Sequence, residues 1–363
     1  MSLTSAARGQ YLQLGDVRGE AESLMYASGA CTLSARSEAA LAFAEEVRAI
    51  AERTGDQWIR GFALGALVGQ SDEAQNYART AEYAQEQLQL TISFGLPMIQ
   101  CVAHANLAGA LWNLWRVDEA LVHFRACIAL KEATALVYGA AGENEFALFL
   151  GELGDLEASL AMFERGESVA SRIGRSAHLL EIANDRAHVC WQHGAIEEMR
   201  AAVAEAAKLV GELARSRSAC AHAVNRARLL RCDGRFDEAT ALLLAAAADY
   251  GRVHRPLDAI VATEELAETQ LAAGRIEEAL ATLEQSRKLI AQLEDPSAQL
   301  NPVAHHWIAH RIHRAAGNQA RASLALSEAR GAYDRRRDAI SDASLRGCFE
   351  AMPLHRAVLE AAP

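Results

Sequence analysis

The sequence is poor in aromatic residues and in proline. Phe, Trp and Tyr make up only 6% of its 363 residues, although 51% are hydrophobic, so much of the apolar content is alanine. It contains 6 prolines, and none lies between Pro97 and Pro256. Because proline interrupts helices and small side chains let helices approach closely, this composition predicts an all-α protein.

Long apolar runs and positive charge are also lacking. No uninterrupted run of about 18 apolar residues occurs, so the sequence predicts no membrane span. The N-terminal residues lack the apolar segment of a signal peptide, and we expect a cytoplasmic protein. Since the formal net charge is −11 and a free nucleic-acid surface needs a basic face, we expect no direct nucleic-acid partner.

The seven cysteines form no C-x-x-C pair, and their number is odd. Each lies in an apolar helical context, which argues against a disulfide framework. We therefore predict reduced thiols in the core of the protein. The positions are Cys31, Cys101, Cys127, Cys190, Cys220, Cys232 and Cys348.

A repeated turn motif is the main feature that the sequence does contain. It is a glycine followed by acidic and small residues, with copies 40, 40, 40 and 43 residues apart at Gly154, Gly194, Gly234, Gly274 and Gly317. Upstream, Trp115 stands at the glycine position of the same motif, and weaker copies lie at Gly69 and Ala35. A fixed period of this kind indicates a tandem-repeat architecture.

Each copy predicts the turn of a helix hairpin. Glycine ends the first helix in a left-handed conformation that costs other residues energy, and the acidic residues follow in the first turn of the second helix, where the helix dipole favours negative charge. A bulky residue further along the second helix is predicted to lie in the core: Phe124, Phe163, Val203, Leu243, Leu283 and Leu326. A small residue seven positions before the turn is predicted to share that core face: Ala108, Ala147, Ala187, Ala227 and Ala267.

The repeats predict about eight antiparallel helix pairs, at 18–53, 56–93, 97–135, 138–173, 177–213, 216–253, 256–293 and 300–336, and a terminal helix at 353–361. We divide the chain into an N-terminal cap or disordered segment (1–17), a repeat array (18–336) and a capping segment (337–363). One helix pair is too small to bury its own apolar stripe, so stacking on the next pair is expected to stabilise it.

The order of large residue, small residue, turn, alanine and bulky residue resembles the tetratricopeptide repeat (TPR), over roughly residues 20–335. This resemblance implies a right-handed superhelix with a concave groove, lined mainly by the first helix of each pair. Three features resemble the repeat arms of bacterial maltose-activator-type regulators and of ATPase and cyclase signalling proteins. They are the longer period, the segment Ala51-Glu52-Arg53-Thr54-Gly55-Asp56 and the stretch 343–359. No G-x-x-x-x-G-K-[ST] motif occurs, so the chain is at most such an arm.

Asparagine recurs near the same place of the first helix in four repeats, with spacings of 38, 40 and 41, at Asn106, Asn144, Asn184 and Asn225. A side-chain amide both donates and accepts hydrogen bonds, so such a row could hold the backbone of an extended peptide. The row resembles the asparagine clamps of peptide-binding TPR proteins. In the alternative interpretation the asparagines are tolerated on a wet face or bond to a neighbouring helix.

Further side chains are assigned by position to the same predicted groove: Trp112, Trp191, His188, Arg228, Arg231, Arg311 and Arg314. The tryptophans suit ligand anchors, with core packing as the alternative. The arginines predict a positive wall, and part of this charge is expected to form internal ion pairs with an acidic strip at Glu264, Glu265 and Glu268. TPR proteins that bind acidic C-termini need Lys and Asn at set positions, which here carry Ala105, Gly109, Asn184 and His188, so we expect no carboxylate clamp.

Signatures of catalysis and of metal binding are weak. The one cluster of potential metal ligands is His305, His306, His310 and His313. A metal site needs further ligands and an outer shell of hydrogen bonds, so we interpret this cluster as a partly exposed, proton-responsive patch. No G-x-S-x-G elbow occurs. We expect no catalytic residues, no metal and no cofactor.

Two classes of function remain. The first is a scaffold that binds a protein or an extended peptide in bacterial signalling or transcriptional regulation, either free or as the sensory arm of a larger ATPase or cyclase regulator. The second is a structural helical-repeat scaffold that self-associates, with the groove filled by its own chain or by a second copy in a homodimer.

Overall fold

The structure, a computed structural model, describes residues 2–33, 37–95, 97–134, 141–174, 176–211, 217–253, 255–293 and 301–362. Over these ranges the chain forms nineteen α-helices and no strand. The predicted all-α, TPR-like repeat fold is therefore confirmed. No helix in the described part of the chain combines the length and the apolar character needed to cross a membrane.

The chain divides into two compact units, Met1–Leu136 and Val137–Pro363. Consecutive helices of the first unit pack against one another, as stacked hairpins do. These helices are α1 (Ser2–Leu14), α2 (Val17–Leu33), α3 (Ser37–Thr54), α4 (Gln57–Glu73), α5 (Tyr77–Phe94), α6 (Pro97–Asn113) and α7 (Val117–Thr134).

The second unit holds α8 (Ala141–Glu152), α9 (Leu156–Arg172), α10 (Ser176–Gln192), α11 (Ile196–Leu209), α12 (Arg217–Cys232), α13 (Phe236–Arg252), α14 (Pro256–Ala272), α15 (Ile276–Ala291), α16 (Pro302–Ala315), α17 (Gln319–Asp338), α18 (Ala343–Glu350) and α19 (Pro353–Glu360). The first helices of its successive pairs, α8, α10, α12, α14 and α16, touch one another in this order. They form one continuous layer, so that polar residues at equivalent positions of neighbouring repeats come within reach of each other.

The predicted left-handed turns are confirmed at the five glycines of the second unit. Their φ angles are 90°, 71°, 74°, 74° and 74°, at Gly154, Gly194, Gly234, Gly274 and Gly317. Trp115 occupies the same conformation with φ 56°, as its alignment with the glycines predicts. A non-glycine residue tolerates this region only at an energetic cost, so packing of the surrounding pair must stabilise the turn.

The turn predicted at Gly69 is wrong. Gly69 lies inside α4, and the chain turns six residues later at Gln75, which has φ 56° and is followed by the N-cap residue Asn76. The reason is that Asp72, Glu73 and Ala74 imitate the motif while the true turn carries no glycine. The repeat spacing identifies the true turn, because Gln75 lies 40 residues before Trp115. The copy predicted at Ala35 lies outside the described residues.

The predicted core positions are confirmed. The bulky residues of the second helices are at most 7% exposed, at Phe124, Phe163, Val203, Leu243, Leu283 and Leu326. The small residues of the first helices are fully buried, at Ala108, Ala147, Ala187, Ala227 and Ala267. A bulky side chain of one helix therefore packs against an alanine surface of its partner, which is the knob-and-gap packing that helix spacing of 8–10 Å requires.

The cysteine prediction holds for five thiols and is wrong for Cys232, which is exposed, and in part for Cys348, which is half-buried. Both lie at the C-terminal ends of helices, where the chain leaves the apolar interface. All seven are free thiols.

The C-terminal segment contains one helix that was not predicted. The terminal helix α19 matches the expected range, but α18 precedes it and returns to the turn between α8 and α9. There the backbone carbonyl of Cys348 lies so close to Gly154 that a Cβ on that glycine would be 2.3 Å from the oxygen. Within the second unit, the C-terminal segment thus packs on the first helix pair. Phe349, 1% exposed, anchors it beside Tyr333 and His355.

Candidate functional site

The four predicted asparagines do not occupy one equivalent position. Counted back from the left-handed residue of each turn, Asn144 and Asn184 lie ten positions before it, whereas Asn106 and Asn225 lie nine positions before it. One residue is about 100° around an α-helix, so the two sets point in different directions. Their hydrogen bonds differ accordingly.

Asn184 and Asn225 link the neighbouring first helices α10 and α12. The amide nitrogen of Asn184 donates to the backbone carbonyl of Ser218 at 2.7 Å, and that of Asn225 donates to the backbone carbonyl of Asn184 at 2.9 Å. The Oδ1 of Asn225 accepts from Arg228 at 2.9 Å, so this side chain is paired on both sides. Within the part of the chain that the structure describes, the Oδ1 of Asn184 is buried without a hydrogen-bond partner.

Asn144 repeats the arrangement of Asn184 one pair earlier. Its side chain is only 5% exposed, and its amide nitrogen donates to Oδ2 of Asp185 on α10 at 2.7 Å. Its Oδ1 is likewise buried, and none of the described residues donates a hydrogen bond to it. Two successive repeats therefore hold an asparagine by its NH₂ group and leave its acceptor oxygen unsatisfied, which costs about 1–3 kcal/mol for each buried group.

Arg228 and Arg231 share one carboxylate. Arg228 Nε lies 2.8 Å from Glu265 Oε1, and Arg231 Nη1 lies 2.8 Å from Glu265 Oε2, so α12 is ion-paired to α14. All three side chains are at most 13% exposed. Burial alone would raise the pKa of Glu265, but the two guanidinium groups and their hydrogen bonds outweigh it and lower the pKa to about 2. The predicted positive wall is thus neutralised at this point.

His188 and Trp191 complete this network from α10. Arg228 Nη1 lies 2.9 Å from His188 Nδ1, and the guanidinium groups of Arg228 and Arg231 lie 5.8 Å and 5.0 Å from the centre of the Trp191 ring. Burial, and then the charge of Arg228, lower the pKa of His188 to about 3. The imidazole is therefore neutral and accepts a hydrogen bond, and Trp191 contributes a cation–π face.

The other predicted residues lie apart from this network. Arg311 on α16 is paired with Glu268 at 2.5 Å, while Arg314 is exposed. Asn106 and Trp112 lie on α6 in the first unit, and both are half-buried. The internal ion pairing expected of Glu265 and Glu268 is present.

The histidines of α16 are more buried than predicted. His305 Nδ1 lies 2.6 Å from Glu264 Oε1, and His310 Nδ1 lies 2.9 Å from the backbone carbonyl of Ala322. With His313 these residues are at most 5% exposed, so the prediction of a partly exposed patch is wrong for three of the four. For His305 and His310 the reason is that α14 and α17 supply their hydrogen-bond partners. His313 is buried with no partner for either ring nitrogen among the described residues. In the described part of the chain, no group of three or more His, Cys, Asp or Glu side chains is placed to hold a metal ion.

Asp185 is the functional candidate that the sequence interpretation missed. It stands nine positions before the turn, where the neighbouring repeats carry Glu145, Asn225 and Glu265, and this polar column at a spacing of 40 was the available signal. Burial, and then the nearby charge of Glu181, raise the pKa of Asp185 to about 7. Hydrogen bonding from Asn144 and the charge of Arg217 oppose the shift, whereas Asp258 adds to it.

This raised pKa predicts that Asp185→Asn stabilises the protein at alkaline pH. The folded-state pKa exceeds the unfolded value, so the contribution of Asp185 to stability is present at low pH and is lost as the pH rises towards and through 7. We expect a gain of about 2 kcal/mol at pH 8, below the full equivalent of the shift because the side chain is partly exposed. Urea unfolding at pH 5 and pH 8 measures it. An equal effect at both pH values would contradict the prediction.

Comparisons with known proteins agree with the fold. No protein-family model matches the sequence, and no curated protein matches it. Among solved structures, a Rap protein complexed with Competence and Sporulation Factor is 13% identical, with a TM-score of 0.58 over 94% of this chain and 96% of its own. NprR in complex with its cognate peptide NprX is 11% identical, with a TM-score of 0.57 over 93% and 98%. The human IFIT1 dimer with m7Gppp-AAAA is 13% identical, with a TM-score of 0.54 over 95% and 81%.

Proposed function

We propose that this protein is a helical-repeat scaffold that binds an extended peptide through the layer of first helices in its second unit, and that it is not an enzyme. The observation that carries the proposal is the pair of buried asparagines, Asn144 and Asn184, each held by its NH₂ group with Oδ1 unpaired. A backbone N–H is the donor that an extended peptide offers at regular intervals. The two oxygens lie in successive repeats, so one peptide could satisfy both.

The hydrogen bonds of the asparagines support preorganisation. Because the NH₂ groups of Asn144 and Asn184 are fixed by Asp185 and by the carbonyl of Ser218, the acceptor oxygens are held in place before any ligand arrives. Rigid acceptors reduce the entropy that binding must overcome. Asn225 differs, since both ends of its amide are occupied, and we assign it a structural role in joining α10 to α12.

The likeness to peptide-bound NprR supports the same proposal, since the fold that both chains share accommodates a peptide in that protein. On this basis we propose a bacterial signalling or transcriptional-regulatory role, in which peptide binding changes how the scaffold meets a partner protein. In the Arg228–Arg231–Glu265 network the charges are paired with each other. We therefore assign this network a role in positioning the ligand. We also propose that residues 18–336 form the repeat array and that residues 337–363 form a capping segment.

A self-associating scaffold is the second candidate. Since α18 packs at the α8–α9 turn, the chain covers part of its own second unit. In that case the asparagines would serve only to join helices. The likeness to IFIT1 bound to m7Gppp-AAAA adds nucleic acid as a ligand class to test. The pairing of Arg228 and Arg231 with Glu265 opposes it, since phosphates need cations that are not already neutralised.

The proposal predicts that Asn144→Ala with Asn184→Ala weakens peptide binding. Peptides are selected from a displayed library of random heptapeptides on the purified wild-type chain, and the most enriched sequence is synthesised with a fluorophore. Loss of two hydrogen bonds of about 1 kcal/mol each is expected to raise Kd about 30-fold, as measured by fluorescence anisotropy. Circular dichroism is expected to show unchanged helix content.

Asn318→Ala is the matched control. Asn318 is exposed and makes no side-chain cap hydrogen bond, so its loss is expected to leave Kd unchanged. If no peptide of the library binds the wild-type chain, the proposed function is wrong. Unchanged affinity in the double variant would remove these asparagines from the site and favour the self-associating scaffold if sedimentation also shows a dimer.

A further inference from the structure

Asp185 is a carboxylate without a cationic partner. Its short contact is the amide of Asn144 at 2.7 Å, and within the described residues no basic side chain lies within ion-pairing distance of it. Arg217, whose charge acts on Asp185, is engaged by another acid, since it pairs with Glu181. Arg255 likewise pairs with Asp258, at 2.5 Å. Of the three carboxylates that influence this point of the α10 layer, only Asp185 lacks a cation of its own.

A second, independent observation points to a missing donor beside this carboxylate. The Oδ1 atom of Asn144 is buried without a hydrogen-bond partner among the described residues, and its side chain is 5% exposed. The NH₂ group of the same side chain contacts the Asp185 carboxylate directly. Asn144 and Asp185 therefore present acceptor oxygens side by side, and buried acceptors without donors destabilise a fold.

The electrostatic environment is consistent with an absent cation. Burial, the charge of Glu181 and the charge of Asp258 all raise the pKa of Asp185, while Arg217 and the Asn144 amide lower it less strongly. A bound cation within about 4 Å would favour the ionised form and reverse this shift. The arginines of the neighbouring network cannot supply it, because Glu265 holds both Arg228 and Arg231.

We propose that Asn144 and Asp185 form a subsite for a cationic N–H donor of the peptide ligand: a lysine ammonium, an arginine guanidinium or the N-terminal amine. The cation would pair with the Asp185 carboxylate and donate to Oδ1 of Asn144. This inference rests on the proposed peptide binding and adds the chemical class of the residue that the site selects. Burying a charge is favourable only when it is paired and hydrogen-bonded, and this arrangement supplies both.

The test uses the same random heptapeptide library as its probe. Peptides selected on the wild-type chain are expected to be enriched in Lys or Arg at one position or to require a free N-terminus. The most enriched peptide is then compared with its N-acetylated form and with forms in which Lys is replaced by norleucine or Arg by citrulline. The change that removes the recognised charge is expected to raise Kd about 10- to 100-fold on the wild-type chain.

Asp185→Asn keeps the size and the acceptor of the side chain and removes its charge. On this variant the same peptide change is expected to raise Kd less than threefold, which places the cation at Asp185 by a double-mutant cycle. Asp237→Asn, an exposed acid of α13, is the matched control and is expected to behave as wild type. Selected peptides with no cationic preference, or a full effect retained in Asp185→Asn, would overturn the subsite. Absence of any binding peptide would instead overturn the proposed function.

Discussion

Replacing Glu265 with alanine is expected to destabilise the second unit by about 3–5 kcal/mol. The change leaves Arg228 and Arg231 buried without their shared carboxylate, and an uncompensated buried charge is among the most destabilising features of a protein interior. The damage also reaches α10, because Arg228 contacts His188 and Arg231 packs on Trp191. Urea unfolding followed by circular dichroism measures the loss.

Glu238→Ala is the matched control for this change. Glu238 pairs with Arg235 on the surface of α13, with both side chains more than half exposed, and its loss is expected to leave the free energy of unfolding nearly unchanged. A second variant with Glu265→Leu, Arg228→Met and Arg231→Leu is expected to recover most of the stability, since apolar residues can replace a buried ion network. Equal losses in Glu265→Ala and Glu238→Ala would contradict the buried network.

The pH dependence of wild-type stability gives a further check on Glu265. Its folded-state pKa of about 2 lies below the unfolded value. Its contribution to stability is therefore present above about pH 4.5 and is lost as the pH falls towards 2. The Glu265→Ala variant is expected to lose its difference from wild type over that interval.

Replacing Gly154 with alanine is expected to detach the C-terminal segment from the α8–α9 turn. The residue has φ 90°, and an added Cβ would lie 2.3 Å from the carbonyl oxygen of Cys348, so strain and overlap with rigid backbone act together. We expect a loss of about 3 kcal/mol, combining left-handed strain with overpacking. Hydrogen–deuterium exchange is expected to increase in α18 around Phe349.

Gly234→Ala separates strain from contact. Gly234 has φ 74° at the equivalent turn of another repeat, but a Cβ there meets nothing within 4 Å. Its loss is expected to cost about 1 kcal/mol and to leave exchange in α18 unchanged. If both variants lose the same stability and exchange in α18 stays protected in Gly154→Ala, the contact between α18 and the turn does not contribute to the fold.

The C-terminal contact connects stability with the proposed function. The segment that packs at Gly154 belongs to the same unit as Asn144 and Asn184, and α8 carries Asn144 nearly three turns before that glycine. A ligand that ties α8 to α10 would therefore act on the helix that leads into the turn contacted by α18. Peptide binding is thus expected to slow hydrogen exchange in α18, in keeping with linkage between binding and folding.

The helix pairs and their core were predictable because the information is local and repeats. A glycine at Gly194 or Gly234, the acids after it, and the spacing of alanine and bulky residues each act within a few turns of helix. Even Trp115 was placed correctly at a left-handed turn, since the period of its neighbours outweighs its own poor preference for that conformation. Gly69 was misplaced where a chance match competed with the period.

The site was less predictable because hydrogen-bond partners come from other repeats. Asn184 and Asn225 look alike in the sequence, yet a shift of one residue relative to the turn gives one an unpaired oxygen and the other two partners. Asp185 cannot be singled out from the sequence, because a lone acid in a helix is usually solvated. Its significance depends on which cations lie nearby, and that is a property of the packed layer.

By itself, the sequence determined the repeat length, the all-α class, the helix pairs and the apolar positions that join them, because every repeat carries the same pattern of apolar residues. Only the tertiary structure decided which charges cancel, which amide oxygens stay unpaired and where α18 docks. Such contacts join residues 34 to 194 positions apart, and no local preference specifies them.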